Sequence, residues 1–214
     1  METPFAEIRK VRRELLAIAV RPTFSELPVN DDAPLIEKAL NGHSEAFGQL
    51  VSKYQDRLYN TVFYVVGHAE DARDIVQEAF IQAFCKLESF RQHSAFYTWL
   101  YRIAFNIAVS KRRRRRPTFS LDGMKEAAAM EPPDEASGPA EILEQKERFG
   151  QVREAIAQLD DDYRAVLVLR EIDGCCYETI AEMLDLPIGT VRSRLHRARL
   201  QLREKLTKLV ASDQ

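Results

Sequence analysis

Apolar residues recur along most of this chain at intervals of three and four, the period of helices with one buried side. From Leu35 the stretch LIEKALNGHSEAFGQLVSKYQDRLYNTVFYVVG predicts two helices broken at Asn41-Gly42. Ser44 is the expected N-cap of the second. Phe47, Leu50, Val51, Tyr54, Leu58, Val62 and Val65 form its inner face, and Gly67 ends it. HAEDARDIVQEAFIQAFCKL predicts the next helix, with Ile75, Val76, Ala79, Phe80, Ala83, Phe84 and Leu87 turned inward. Asp71, Asp74 and Glu78 align on the adjoining surface, with Arg73 and Gln77 beside them. Such an acidic stripe with an apolar border suits docking onto a basic protein surface. A solvated flank with acids drawn to the helix N-terminus has the same pattern.

The stretch from Phe90 to Pro117, FRQHSAFYTWLYRIAFNIAVSKRRRRRP, departs from simple amphipathicity. On a helix, Phe96, Trp99, Leu100, Ile103 and Ile107 share one side. The other side carries Thr98, Tyr101, Arg102 and Phe105, two of them aromatic, and leads into six consecutive cations from Lys111 to Arg116. Aromatic faces beside phosphate-seeking cations are what single-stranded nucleic acid needs: bases stack on the rings while the backbone follows the charge. A helix sandwiched between two neighbours, followed by a solvated tether, would read the same way.

Beyond it the periodicity stops. TFSLDGMKEAAAMEPPDEASGPAE, with Pro132, Pro133, Gly138 and Pro139 among many acids, is expected to be a flexible linker. Helices are then predicted from Glu141 to Leu159 and from Tyr163 to Glu171, with a turn at Asp173-Gly174. YETIAEML follows as a helix with Ile180, Ala181 and Leu184 inward. DLPIG makes a short turn into TVRSRLHRARLQLREKLTKLV. That last helix buries Val191, Leu195, Ala198, Leu202, Leu206 and Leu209. Its outer face holds Arg192, Ser193, His196, Arg197, Arg199 and Arg203. Helix, short turn and a second helix with a basic N-terminal half make a helix-turn-helix, whose early Arg and Ser side chains can reach phosphates and base edges of a major groove.

Residues 1–34 are set apart. A helix is possible from Phe5 to Val20, followed by the loop-like RPTFSELPVNDDAP, and no function is legible there. The plan is therefore all-α: an extension over 1–34, a helical domain over 35–116, a flexible acidic linker over 117–141, and a second helical domain with the helix-turn-helix over 142–210.

Composition narrows the function classes. The formal net charge of −2 conceals acids concentrated between Glu126 and Asp162 and cations concentrated from Arg192 to Lys208. Local patches therefore matter more than the total. Cys85, Cys175 and Cys176 show no metal or C-x-x-C spacing and fit a reducing cytosol, with Cys85 expected to be a buried thiol. His43, His68, His93 and His196 are scattered. No Gly-rich phosphate loop, nucleophile motif or membrane-length apolar run occurs. RKVRRELLAIAV is too short and lacks a cleavage-like site for a signal peptide. A cytoplasmic protein without enzymatic activity, cofactor, metal or membrane insertion is expected. A helix-turn-helix regulator with a sensing first lobe is the rival reading.

At this point three stretches, in order, carry a family likeness. EDARDIVQEAFIQAF, SFRQHSAFYTWLYRIAFNIAVSKRRRR and YETIAEMLDLPIGTVRSRLHRARLQL resemble the sigma-70 family of bacterial RNA polymerase sigma factors, in its small extracytoplasmic-function (ECF), sigma-E-like branch. The likeness spans roughly Leu35 to Leu209 apart from the linker. It implies a promoter-specificity subunit that binds core RNA polymerase, recognises −10 and −35 elements and melts the former. It also implies control by an anti-sigma protein. By the resemblance, Asp71, Asp74, Ile75, Gln77 and Glu78 would face core polymerase. The loop from Arg91 to Tyr97, with Ser94 and Phe96, would cradle a flipped −10 base together with Asn106. Trp99 and Tyr101 would hold the melted strand, and Lys111, Arg112 and Arg113 would grip its phosphates. Thr190, Arg192, Ser193, Arg194, His196, Arg197 and Arg199 would read the −35 duplex. His196 stands where some relatives carry a larger aromatic or a lysine.

Overall fold

The computed structural model describes residues 32–91, 94–114 and 150–212. The described residues contain helices and turns and no strand, as the periodicity predicts. The chain forms two compact units, taken here one at a time.

In the first unit, α1 (Ala33–Leu40) ends at Asn41, and Gly42 supplies the turn with φ +90°. α2 (Ser44–Val66) ends at Gly67 with φ +83°, a left-handed position that glycine adopts without a Cβ clash. Ser44 is the first helical residue and not the N-cap: His43 precedes the helix, without a side-chain capping bond. α3 (Ala69–Cys85) leads through a short 3-10 turn (Leu87–Ser89) to α4 (Phe96–Arg114). α2 packs on α1, α3 and α4, and α3 packs on α4. Leu50, Leu58, Ile75, Ala79, Ala83, Leu100 and Ala104 close the core.

Two expectations on α3 fail. Phe84 is 50 % exposed, and Cys85 is exposed rather than buried. Ala72, Ile75, Val76, Ala79 and Ala83 define the buried line, and Phe84 lies on its fringe, its ring against Phe47 with 5.0 Å between centroids. Cys85 is one helical step further round.

In the second unit, residues 150–157 form α5. α6 (Asp161–Leu167) continues into a π-helical turn (Val168–Ile172), where a single helix from Tyr163 to Glu171 was expected. The buried Arg164 guanidinium joins the end of α5 to α6, donating to the carbonyls of Ile156 (3.1 Å), Ala157 (2.5 Å) and Leu159 (2.6 Å). These bonds satisfy carbonyls that a helix C-terminus otherwise leaves unpaired. α7 (Tyr177–Leu184) and α8 (Ile188–Ser212) follow, and α6 packs along α8. Ile180, Met183, Val191, Leu195, Ala198 and Leu202 are buried, whereas Ala181, Leu184 and Leu206 are only half-buried. The extension up to residue 31, the linker and the first part of the helix expected from Glu141 lie outside the described residues, as does the Leu209 side chain; Ala33 and Pro34, expected as loop, already belong to α1.

Candidate nucleic-acid interface

The first candidate surface is on α4, where the buried face is not the expected one. Tyr101, expected on the solvated side, is 1 % exposed, and Phe96, Tyr97 and Thr98 are buried as well. Conversely Trp99 and Ile103, expected inside, are half-buried. Because α4 packs against both α2 and α3, its core face is broad and takes in Tyr97, Tyr101, Ala104 and Ala108. Relative to the expected face, the buried face is turned by about 90° on a helix of 3.6 residues per turn. Phe96, Tyr97 and Tyr101 therefore cannot offer ring faces to bases. The surface left to solvent is a stripe of Trp99, Arg102, Asn106, Ser110 and Arg113 at intervals of three and four. It gathers one aromatic edge, an amide and cations on one side of one helix. Arg102 and Ser110 belong to it but had not been singled out as contacts. Their spacing from Asn106 was the available signal.

Around this stripe, Arg91 is exposed, Ser94 is half-buried, and Arg112 is exposed. Gln92 and His93, between Arg91 and Ser94, lie outside the described residues, as do Arg115 and Arg116. Trp99 leans on Phe90 (5.1 Å between centroids) and Phe96 (5.8 Å), so its ring is oriented though only partly covered. Lys111 Nζ reaches back to Asp74 Oδ2 on α3 at 3.5 Å.

The second candidate surface is on α3. Asp74 and Gln77 are exposed, Asp71 and Glu78 half-buried. Ile75 is 1 % exposed and belongs to the core, so it has no outward surface to offer a partner. In its place the exposed line continues from Gln77 through Ile81, 56 % exposed, to Phe84. Large apolar side chains left in solvent beside acids mark a protein-docking face more strongly than acids alone.

The third surface is the helix-turn-helix. α7 ends with Asp185 in the left-handed region, φ 54°, which lets the Leu186 N–H reach back to the Ala181 carbonyl at 2.9 Å. The Thr190 and Val191 N–H groups then bond the Pro187 carbonyl and start α8. Ser193 Oγ donates to the Thr190 carbonyl at 3.0 Å. Arg192, Ser193, His196 and Arg197 are exposed, and Thr190 is half-buried. The Arg192 guanidinium carbon lies 5.9 Å from the Tyr177 ring centre, and that of Arg170 lies 5.1 Å from it. Glu178 has its carboxyl held below the ordinary range by its own backbone N–H, then by Cys176, then by the charges of Arg192 and Arg170.

Two of the expected groove-readers are turned to structural work. Arg199 donates to the buried Glu171 carboxylate from both Nε (3.0 Å) and Nη2 (2.5 Å). Arg194 pairs with Asp162 at 2.7 Å. Arg192, Ser193, His196 and Arg197 thus form the outward-facing set.

The pattern "Sigma-70 region 2" matches residues 50–118, and "Sigma-70, region 4" matches residues 149–202. The ECF RNA polymerase sigma-E factor of Escherichia coli strain K12 is 41 % identical over 185 residues, covering 84 % of this chain and 96 % of that protein. The chain belongs to the sigma-70 family, in its ECF branch. The ECF RNA polymerase sigma factor SigW of Bacillus subtilis is 36 % identical over 179 residues, covering 81 % of this chain and 96 % of the relative. Among solved structures, the sigma factor RpoE of Bartonella quintana, bound to the anti-sigma factor NepR, aligns with a TM-score of 0.60. It is 25 % identical, over 75 % of this chain and 96 % of that one. In this ECF sigma factor, α4 thus falls in the region 2 match, and α7 with α8 as far as Leu202 in the region 4 match. Among the described residues no helix is long and apolar enough to cross a membrane, and no three His, Cys, Asp or Glu side chains gather to hold a metal ion.

Proposed function

We propose that the chain is a dissociable promoter-specificity subunit, acting in the cytoplasm and catalysing no reaction of its own. It binds core RNA polymerase, directs it to −10 and −35 elements, and opens the former. One observation carries the assignment of roles: a basic, partly aromatic face on α4 and the basic N-terminal half of α8 stand on separate units, each inside its matched family segment. Trp99, Arg102, Asn106, Lys111, Arg112 and Arg113 take the melted −10 strand, with Arg91 and Ser94 at the entry to α4. The buried Phe96, Tyr97 and Tyr101 support that surface from beneath. Arg192, Ser193, His196 and Arg197 meet the −35 duplex, with Thr190 at the start of α8. Asp71, Asp74, Gln77 and Glu78 face core polymerase. An anti-sigma protein is the expected regulator, by likeness to the complexed relative. Two units joined through the segment over 117–141 suit two separated promoter elements.

Extracting a base from a duplex costs a few kcal/mol, which a fitted surface must offset. The cations supply a salt-dependent, sequence-blind share of binding. The test is transcription by core polymerase on a promoter library, with and without the purified chain. Specific initiation only when the chain is present is the expected result. DNA binding without any effect on core polymerase would instead identify a free-standing helix-turn-helix regulator.

A further inference from the structure

Asp32 stands at the very start of the described residues, ahead of α1, in a region expected to be loop. It is nevertheless 8 % exposed. Its Oδ2 accepts a hydrogen bond from the Tyr54 hydroxyl at 2.5 Å, and its Oδ1 accepts one from Lys53 Nζ at 2.7 Å. A buried carboxylate is costly unless paired and hydrogen-bonded, and here both oxygens are used. The Tyr54 phenol is pushed well above its ordinary range, by burial first and then by Asp32, so it remains a proton donor.

What this carboxylate holds in place is an aromatic ring under the N-terminal end of α4. The Tyr54 ring lies against Tyr97 (5.6 Å between centroids, 29° between planes) and against Phe96 (5.8 Å). From the next turns of α2, Arg57 covers the Tyr97 ring with its guanidinium carbon 3.8 Å from the centroid. The Tyr97 hydroxyl meets Thr61 Oγ1 at 3.3 Å. Phe96 in turn supports Trp99 directly and through Phe90, which is 5.8 Å from it. A continuous chain of contacts therefore runs from Asp32 through Tyr54 to Phe96 and then Trp99, the aromatic at the head of the exposed stripe. Tyr54 and Phe96, the rings between, are buried and cannot touch DNA.

We infer that Asp32, with Lys53 and Tyr54, is a positioning group for strand capture: it fixes the Tyr54 ring and thereby, through Phe96, sets where Trp99 stands when the melted −10 strand arrives. This rests on the reading of the α4 stripe as the −10 contact. A loose supporting shell degrades a site whose contacting residues are all present.

Asp32→Asn keeps the shape and removes the charge, while Tyr54→Phe keeps the ring and removes the donor. In reconstituted holoenzyme with the full chain, both should slow opening of a −10 element about tenfold, the scale of one charge-assisted hydrogen bond. Binding to a template whose −10 region is already unpaired should be weakened to a similar extent, because the defect lies in holding the strand. Affinity for core polymerase should stay within about twofold of the parent, since one lost bond under α4 leaves α3 untouched. Ile36→Val, which thins the core beside Asp32 by one methyl, serves as the control for stability alone. If it slows opening as much at the same loss of melting temperature, the positioning role is overturned. Normal opening by Asp32→Asn overturns it also, as does undiminished binding to the unpaired template. Asn106→Ala in the same assay separates the two levels. If it too opens promoters normally, the −10 reading of α4 has failed; if it alone is defective, only the role of Asp32 has.

Discussion

Arginines on α8 divide into two chemical classes that the sequence presents as one. Arg199 is committed to Glu171, a carboxylate 7 % exposed in the π-helical turn. Removing one partner of such a pair leaves a buried charge uncompensated, which is where the cost arises. Because the Arg199 side chain is itself partly solvated, Arg199→Ala should cost about 1–3 kcal/mol, visible as a lower melting temperature of the second unit. Arg197 is exposed and makes no comparable pair among the described residues, so Arg197→Ala should leave the melting temperature unchanged and weaken −35 duplex binding. If Arg199→Ala melts like the parent but loses DNA, the division is wrong. The sequence could not separate them, since a helix wheel places both outside and only the three-dimensional position of Glu171 draws one inward. Tyr101 was misplaced for a related reason. Its period fits the outer side when Phe96, Leu100, Ile103 and Ile107 are weighted most heavily. Ala104 and Ala108, weak hydrophobic signals on a wheel, mark the true centre of contact because their size admits the close approach of neighbouring helices.

At the scale of elements, legibility followed the backbone signals. Gly42, Gly67 and Gly174, all with positive φ, fall where breaks were expected. Asp185 is the non-glycine exception among the described residues, and the helix-turn-helix bend depends on it. Asp185→Gly should preserve the melting temperature, whereas Asp185→Val, placing a branched Cβ in the left-handed region, should cost about 1–2 kcal/mol. Equal melting of the two would remove the strain argument. The π-helical turn left no readable signal, because Val168 and Leu169 continue an apolar run that a plain helix would also carry. On α3 the acidic stripe was legible, but its apolar continuation through Ile81 and Phe84 was not, since Phe84 was expected in the core and Ile81 had been assigned to neither face. Their exposure yields a paired expectation. Ile81→Glu should change stability by no more than about 0.5 kcal/mol, as for surface sites generally. It should nevertheless lower affinity for core polymerase, measured by competition for holoenzyme assembly. Loss of folding instead would place Ile81 in the core after all.

For the molecule as a whole, a net charge of −2 gives no hint of nucleic-acid binding, because acids and cations occupy different stretches. What matters is the number of phosphates each face neutralises. Counterions released on binding make the logarithm of affinity fall with the logarithm of salt, by about 0.9 per phosphate contacted on duplex and about 0.7 on a single strand. The two faces therefore make separable contributions. Arg112→Ala with Arg113→Ala should flatten the salt dependence of single-stranded −10 binding by about 1.4 and leave that of the −35 duplex alone. Arg197→Ala should do the converse, flattening the duplex slope by about 0.9. Lys111 is the informative intermediate. Its exposed pair with Asp74 is worth at most about 1 kcal/mol, so DNA phosphate can displace it. Asp74→Ala should then raise affinity for single-stranded −10 DNA by no more than about fivefold while weakening core binding. Measured on holoenzyme and free chain at several salt concentrations, a slope change confined to one element per variant identifies two independent electrostatic faces. A variant in either unit that shifts both slopes equally would show that the charges act as one field.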